Sequence, residues 1–360
     1  MTRALRPMSR RIPALLAAAA LLAASPLADA PAEAAVERTR ILRCPGGGDC
    51  WPAAFQFTRN GKVVFFLERF SGRIRRFNRV TGRVTTFRRV GNLQTSGERG
   101  GLGLALHPRF PQRNWIYVFV SKPDGYNRIL RYRKRDDGRV TGQRIFAYRS
   151  NTNHNGGAIG FGPDDRLYAV TGDLGSPAKS QRTRSKAGKV LRMTARGRRP
   201  SDNPFPRLAW SIGHRNSFGF AFDPQTDRLW QTENGPECED ELNRIRRGRN
   251  YGWGPGSNCP GTSTSGPNPV GPRWSFTPVP AVTGATFCDG CGLAGTEGDL
   301  VFGAWNDGRL RRAQLTGDRL GVSGVSTLFN HPRGVLDVET GAGGRIFFSD
   351  SRGIYRLNES

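Results

Sequence analysis

A chain of 360 residues can bury a large core as one or two domains, and 47 glycines without long helical patterns argue for an all-β fold. Its 55 Lys and Arg against 29 Asp and Glu give a formal charge of +26, which favours anionic contacts. Yet the basic residues are nearly all arginine and are scattered, with no recognition helix and no aromatic–basic RNA motif. Nucleic acid is therefore not an expected partner, whereas anionic envelope polymers remain candidates for a generally basic surface.

Arg3, Arg6, Arg10 and Arg11 precede an apolar run from Ala14 to Ala24, and small residues follow at Ala28-Asp29-Ala30 and Ala32-Glu33-Ala34. This is the pattern of a cleaved secretory signal over residues 1–35, with an apolar run too short to anchor in a membrane. No cysteine stands at the cleavage region, which argues against a lipoprotein, and no later segment has the length of a span. Residues 36–360 are expected as a single secreted or periplasmic domain. Its charge is +24 once the four arginines and two acids of the leader are removed. Six cysteines in an oxidising compartment favour disulfides. The local pairings Cys44/Cys50, Cys238/Cys259 and Cys288/Cys291 are favoured, although other connectivities are open. Cys288-Asp289-Gly290-Cys291 also fits a redox pair or half a zinc site; a small structural disulfide is the simpler expectation.

Val36 to Arg43 is a short strand, and a phrase then recurs: an apolar strand, a Gly/Pro/Asp/Asn turn, a second apolar strand, a loop, and a third strand rich in arginine. The copies begin at Ala54, Leu102, the stretch from His154 to Asp173, Phe218, Ala281 and Val335. Six copies at intervals of roughly 45–70 residues predict a six-bladed β-propeller of four-stranded blades, with a sandwich or barrel as the alternative. The last copy lacks room for a fourth strand, so the strand at Val36–Arg43 is expected to close the ring.

In such a propeller the first strand of each blade leaves one mouth of the channel and the second returns to it. Residues just before strand one or just after strand two therefore meet there. This gathers Glu98 and Arg99, His154, Arg215 and Asn216, Asp173, and Glu233 to Pro236, with Asp240 slightly beyond. A carboxylate on one imidazole nitrogen fixes the tautomer and leaves the other as a base. His154 with Asp173 fits that pair, and Arg215 fits a stabiliser of negative charge. Arg215 has a structural alternative, a salt bridge to Asp240 or Glu233. The acidic turn from Glu233 to Glu241 suits a hard cation, with the carbonyls of Gly235 and Pro236 as ligands, or else a solvated loop pinned by Cys238. His107, His214 and His331 are weaker candidates, and no serine elbow, Walker loop or dinucleotide fingerprint is present.

Over about residues 50–357 the chain resembles the soluble PQQ-dependent aldose (glucose/sorbosone) dehydrogenases. The motifs are Glu98-Arg99-Gly100-Gly101 through His107-Pro108, His154-Asn155-Gly156-Gly157 through Gly172-Asp173, Gly213-His214-Arg215-Asn216, Glu233-Asn234-Gly235-Pro236 through Asn243, and Asn250-Tyr251-Gly252-Trp253-Gly254. The resemblance implies that His154 takes the anomeric hydroxyl proton of an aldose while hydride passes to PQQ. It implies that Asp173 orients His154, and that Arg215 and Asn216 bind the quinone oxygens. It further implies that the carbonyls of Gly235 and Pro236 hold a Ca2+ that also contacts PQQ. Glu98, Arg99 and Asn234 complete the cofactor side, and Asp240 shapes the substrate side. Three departures stand out: Glu98 where glucose-oxidising members have glutamine, Cys288 where they carry a lysine, and Gly334-Val335-Leu336-Asp337-Val338 in place of Arg-x-Arg-Asp-Val. Arg333 lies one position off, and Arg99 is a possible compensating cation. The missing basic residues favour an alternative, a noncatalytic secreted propeller that binds carbohydrate or a protein.

Overall fold

The computed structural model describes residues 35–359; the leader expected over residues 1–35 lies almost wholly outside them. The chain begins with β1 (Val36–Arg43). Blade one is β2 (Pro52–Phe57), β3 (Val63–Glu68), β4 (Arg73–Asn78) and β5 (Val84–Arg89). Blade two is β6 (Gly101–Leu106), β7 (Trp115–Lys122), β8 (Tyr126–Lys134) and β9 (Val140–Arg149). Blade three is β10 (Ile159–Phe161), β11 (Leu167–Thr171), the short helix α1 (Pro177–Gln181), β12 (Lys189–Met193) and β13 (Ala209–Ile212). Blade four is β14 (Gly219–Phe222), β15 (Leu229–Glu233), β16 (Asp240–Ile245) and β17 (Trp274–Phe276). Blade five is β18 (Val282–Phe287), β19 (Leu300–Ala304), β20 (Arg309–Leu315) and β21 (Val322–Asn330). Blade six is β22 (Asp337–Thr340), β23 (Ile346–Asp350) and β24 (Gly353–Glu359), completed by β1.

Each sheet is four-stranded and antiparallel in chain order, and the sixth runs β1-β24-β23-β22. The fold is thus the expected six-bladed propeller. Val36 pairs with Glu359 and Arg43 with Gly353, so the two ends of the described chain are joined in one blade.

The core lies between blades. Ala54, Leu67, Ile116 and Val118 join blades one and two; Tyr117, Phe119, Leu167 and Leu191 join two and three. Tyr168, Val190 and Leu229 join three and four; Trp230, Leu242, Val282 and Phe302 join four and five. Val301, Leu310, Phe348 and Tyr355 join five and six, while Phe55, Phe66, Phe347 and Ile354 join six and one. Six interblade layers and no central core leave the axis as a channel. Each buried Phe, Leu or Ile contributes about 1.5–3 kcal/mol by leaving water, and every blade needs both neighbours to do so.

The first three strands of each blade match the repeating phrase. The fourth strands are outer edges, such as β5 with only partly buried or exposed positions, and carry little apolar periodicity. In blade six the innermost strand starts at Asp337 rather than Val335, which places Val335 and Leu336 in the mouth loop.

Candidate active site at the channel mouth

Three of the four histidines hold the same station. Each follows the outer strand of one blade, and each pairs with an acid 19 residues on, at the end of strand two of the next blade. His154 Nδ1 lies 2.7 Å from Asp173 Oδ1, His214 Nδ1 2.8 Å from Glu233 Oε2, and His331 Nε2 3.0 Å from Asp350 Oδ2. The pairs differ in their second nitrogen. His214 Nε2 meets Ser211 Oγ at 2.8 Å, and the ring stacks on Tyr251. The second nitrogen of His331 meets the Arg38 guanidinium. His154 Nε2 has no hydrogen-bond partner among the described residues, and its side chain keeps 17% of its exposure against 1% and 0% for the other two. With Nδ1–H directed at Asp173, Nε2 is a proton acceptor open to the mouth.

Asp173 is held from three sides. Trp253 Nε1 donates to Oδ2 at 2.8 Å, and Gly175 N donates to Oδ1 at 2.8 Å beside the His154 ring. Burial opposes ionisation of Asp173, but the hydrogen bonds from His154, Trp253 and Gly175 outweigh it and hold the carboxyl below its ordinary range. It therefore stays an acceptor for the His154 N–H. The Asn250-to-Gly254 motif contains Trp253, but nothing in its sequence indicates this contact across 80 residues.

His154 itself has φ of 57°, a left-handed conformation that a bulky residue rarely adopts. Its N–H donates to Glu98 Oε2 at 2.6 Å, and the same oxygen accepts from Asn216 Nδ2 at 3.1 Å. Asn216 Oδ1 in turn accepts from Gly156 N at 3.1 Å. Glu98 of blade two thus fastens the His154 turn to Asn216 of blade four. On the other side, a Cβ at Gly172 would sit 2.1 Å from the His154 carbonyl oxygen and 2.4 Å from its carbon. Gly172→Ala is therefore expected to displace the histidine turn. We expect a loss of activity of at least about tenfold with a lowered melting midpoint, checked by turnover and thermal unfolding.

The Arg215 guanidinium donates from Nη1 to Asn234 O at 3.0 Å and lies 5.4 Å from the Trp253 ring. It makes no ion pair with Asp240 or Glu233, the alternative open from sequence; Glu233 instead accepts from the backbone N–H groups of Arg215 and Asn216. Burial lowers the Arg215 pKa, against the surrounding charges of Asp173, Glu233, Glu98 and Asp240. Its Nε is buried without a partner. A buried, unsatisfied N–H among polar groups is costly unless a ligand completes it.

In the acidic turn, Asp240 Oδ1 accepts from Gly235 N at 2.9 Å and Oδ2 from Val282 N at 3.1 Å, while Asn234 Nδ2 donates to Val282 O at 2.7 Å. Among the described residues the carbonyls of Gly235 and Pro236 accept no hydrogen bond. Burial pushes the Asp240 carboxyl up to about 6, against the pull of its backbone donors and Arg215. Burial and the Glu233 charge push Glu241 to about 7. The Cys238–Cys259 disulfide ties this turn to the following loop.

One sequence expectation is corrected, the match of Cys288 to a cofactor-binding position. Cys288 is not a mouth position. It follows Phe287, which pairs with Leu300, whereas Val282 and Ala304 mark the mouth end of those strands. It is bonded to Cys291, so neither sulfur is a free redox thiol or zinc ligand. Cys44–Cys50 is the third disulfide, and all three favoured pairings are formed. Arg99 reaches the mouth but folds back, donating from Nε to Ser96 O at 3.0 Å.

A six-bladed propeller with one solvent-open histidine–aspartate pair, a buried guanidinium and a loop of open carbonyls at one mouth has the layout of a propeller enzyme. The chain belongs to the glucose/sorbosone dehydrogenase family, whose sequence model matches residues 50–356. The aldose sugar dehydrogenase YliI of Escherichia coli (strain K12) is 27% identical over 325 residues, covering 82% of this chain and 85% of that one. Quinoprotein glucose dehydrogenase B of Acinetobacter calcoaceticus is 32% identical over 227 residues, 53% of this chain and 47% of the relative. The PQQ-bound aldose sugar dehydrogenase of Streptomyces coelicolor superposes with a TM-score of 0.74 at 26% identity, covering 91% of this chain and 99% of that structure.

Proposed function

We propose that the protein is a secreted or periplasmic aldose dehydrogenase that oxidises the anomeric carbon with PQQ and Ca2+. The observation that carries this is the free Nε2 of His154, set against two equivalent histidines whose second nitrogens are both occupied. Family membership and the PQQ-bound relative support the choice of reaction. The residues present fit the cofactor. Arg215 has an unsatisfied buried N–H, and Gly235 and Pro236 offer free carbonyls of the kind a hard cation takes. Arg215, Asn216 and Asn234 would hold PQQ, with Glu98, Arg99 and Asp240 around it.

PQQ, when bound, supplies the acceptor for the electron pair leaving the sugar C1–H bond. His154 Nε2 takes the proton of the anomeric hydroxyl. Asp173 fixes the imidazole by its Nδ1–H and stabilises the imidazolium that forms. Glu98 holds the histidine turn in place, and the Arg215 charge favours developing anion at the mouth. Secretion belongs to the same proposal; the three disulfides suit it, and no helix among the described residues is long and apolar enough to cross a membrane. A second function, carbohydrate binding without catalysis, is favoured by Gly334 and Leu336 standing where the family pattern has arginines.

The test is reconstitution of the purified protein with PQQ and Ca2+, then dye reduction with a panel of aldoses. Saturable PQQ binding at micromolar cofactor and Ca2+-dependent dye reduction are expected. Absence of PQQ binding rejects the proposal, and sugar binding without it supports the second function.

A further inference from the structure

The mouth loops of blades one and five carry an aromatic wall that neither the sequence motifs nor the proposed mechanism uses. Gly334 stands where the family pattern has arginine, and the Trp305 indole lies across it. A Cβ there would fall 2.3 Å from Trp305 Cε3 and 2.6 Å from Cδ2, so a side chain at 334 and this indole exclude each other. Trp305 directly follows strand two of blade five and is 41% exposed. Its ring lies 5.6 Å from that of Trp51, tilted by 33°, and Trp51 meets Phe70 edge-on at 5.1 Å. Trp51 precedes strand one of blade one, and Phe70 follows strand two of the same blade, so all three rings belong to the mouth that holds His154.

Trp51 is held in place. Its φ is 50°, its N–H donates to Ser351 O at 3.0 Å, and it adjoins the Cys44–Cys50 disulfide. The Arg69 guanidinium lies over this wall, 5.8 Å from the Trp51 ring and 5.0 Å from Phe70. Arg69 donates only to backbone carbonyls, Gly97 O at 2.6 Å and Arg99 O at 3.3 Å, and has no ion pair among the described residues. Those carbonyls flank Glu98, whose carboxylate receives the His154 N–H. The guanidinium is thus one loop away from the base. The Glu98 charge acts on Arg69 without forming an ion pair with it. Flat faces beside a guanidinium that has no ion-paired carboxylate match a planar ring that carries carboxylates, whereas a neutral sugar would use the rings alone.

We propose that Arg69, with the Trp51–Trp305 pair, binds the carboxylate-bearing end of the planar quinone in place of the basic side chains that blade six lacks. This rests on PQQ being the cofactor, and the test separates the two. PQQ is titrated into the purified protein with Ca2+ and no sugar, by equilibrium dialysis and by quenching of tryptophan fluorescence. The unsubstituted protein binds saturably with quenching. Arg69→Met weakens binding by about tenfold or more, the loss of one charge-assisted contact, and makes it less sensitive to salt. Arg69→Lys recovers part of the affinity, and Trp305→Ala weakens binding and removes part of the quenching. Thermal midpoints establish that each variant is folded; if Arg69→Met is not, Arg69→Lys and Trp305→Ala decide. Dissociation constants within twofold of the unsubstituted protein in the folded variants overturn the assignment while leaving PQQ as cofactor. Absence of PQQ binding in the unsubstituted protein overturns both.

Discussion

Replacing His154 with asparagine is expected to lower turnover by about 100- to 10,000-fold, the range supplied by a positioned general base, with the fold intact. The side chain is partly open to solvent, and its removal leaves Asp173 still bonded to Trp253 Nε1 and Gly175 N. The two equivalent histidines give the contrast. His331→Asn removes a ring packed against the stacked Phe348–Tyr355 pair and takes one partner from fully buried Asp350. Losing a buried partner of a charged group costs about 2–3 kcal/mol or more, so this variant should unfold at lower temperature. His214→Asn should behave likewise, because both its nitrogens are bonded and its ring stacks on Tyr251. Turnover and thermal midpoint measured on all three variants give the pattern: activity lost without stability at His154, stability lost at the other two. Full turnover in folded His154→Asn would remove it as the base.

That contrast also marks how far the sequence could be read. Strand one, turn and strand two recur with enough apolar periodicity to count six blades, and the propeller rule then places residues on a mouth. That rule alone brings His154, Asp173, Glu98 and Asn216 to one rim. The three histidine–acid pairs have equal spacing in the chain, and what distinguishes the first is exposure, which is set by neighbours from other blades. Trp253 and Arg69 escaped for a similar reason. The indole reaches Asp173 across 80 residues of sequence, and the guanidinium reaches the Glu98 loop across about 30. Cys288 stands at the opposite end of β18 from the mouth, which a motif match does not reveal because it carries no strand direction. One strand length carries a residue from the mouth to the far face.

The melting temperature should fall as pH rises from about 5 to 8. The cause lies in the axial channel, a cavity of about 220 Å3 lined by the innermost strands of the blades. Asp337 and Glu339 are two residues apart on β22 and face the same channel. Asp337 accepts from Phe55 N and Val338 N, each at 3.0 Å, whereas Glu339 has no hydrogen-bond partner among the described residues. Burial raises the Asp337 pKa to about 7, and burial together with the Asp337 charge raises that of Glu339 well above its ordinary value. An acid whose folded pKa is raised keeps a proton that the unfolded chain has already released. Its stabilising contribution is complete below the unfolded value and is lost as pH climbs through the folded one. Asp173 has the opposite sign, because its folded pKa is lowered; its contribution is lost only as pH drops below the ordinary carboxylate range. Between pH 5 and 8 the channel acids act in the same direction as Asp240 and Glu241, whose carboxyls burial also raises, while buried Lys189, lowered to about 7, opposes them only above that pH; Glu339→Gln isolates the channel's share. Glu339→Gln keeps the shape, removes the like charge beside Asp337, and should flatten the decline and raise the midpoint most at pH 8. Unfolding midpoints across this range at constant ionic strength provide the check. An unchanged slope in Glu339→Gln would mean that water in the channel solvates both carboxylates and that the axis of the propeller behaves as solvent rather than as interior.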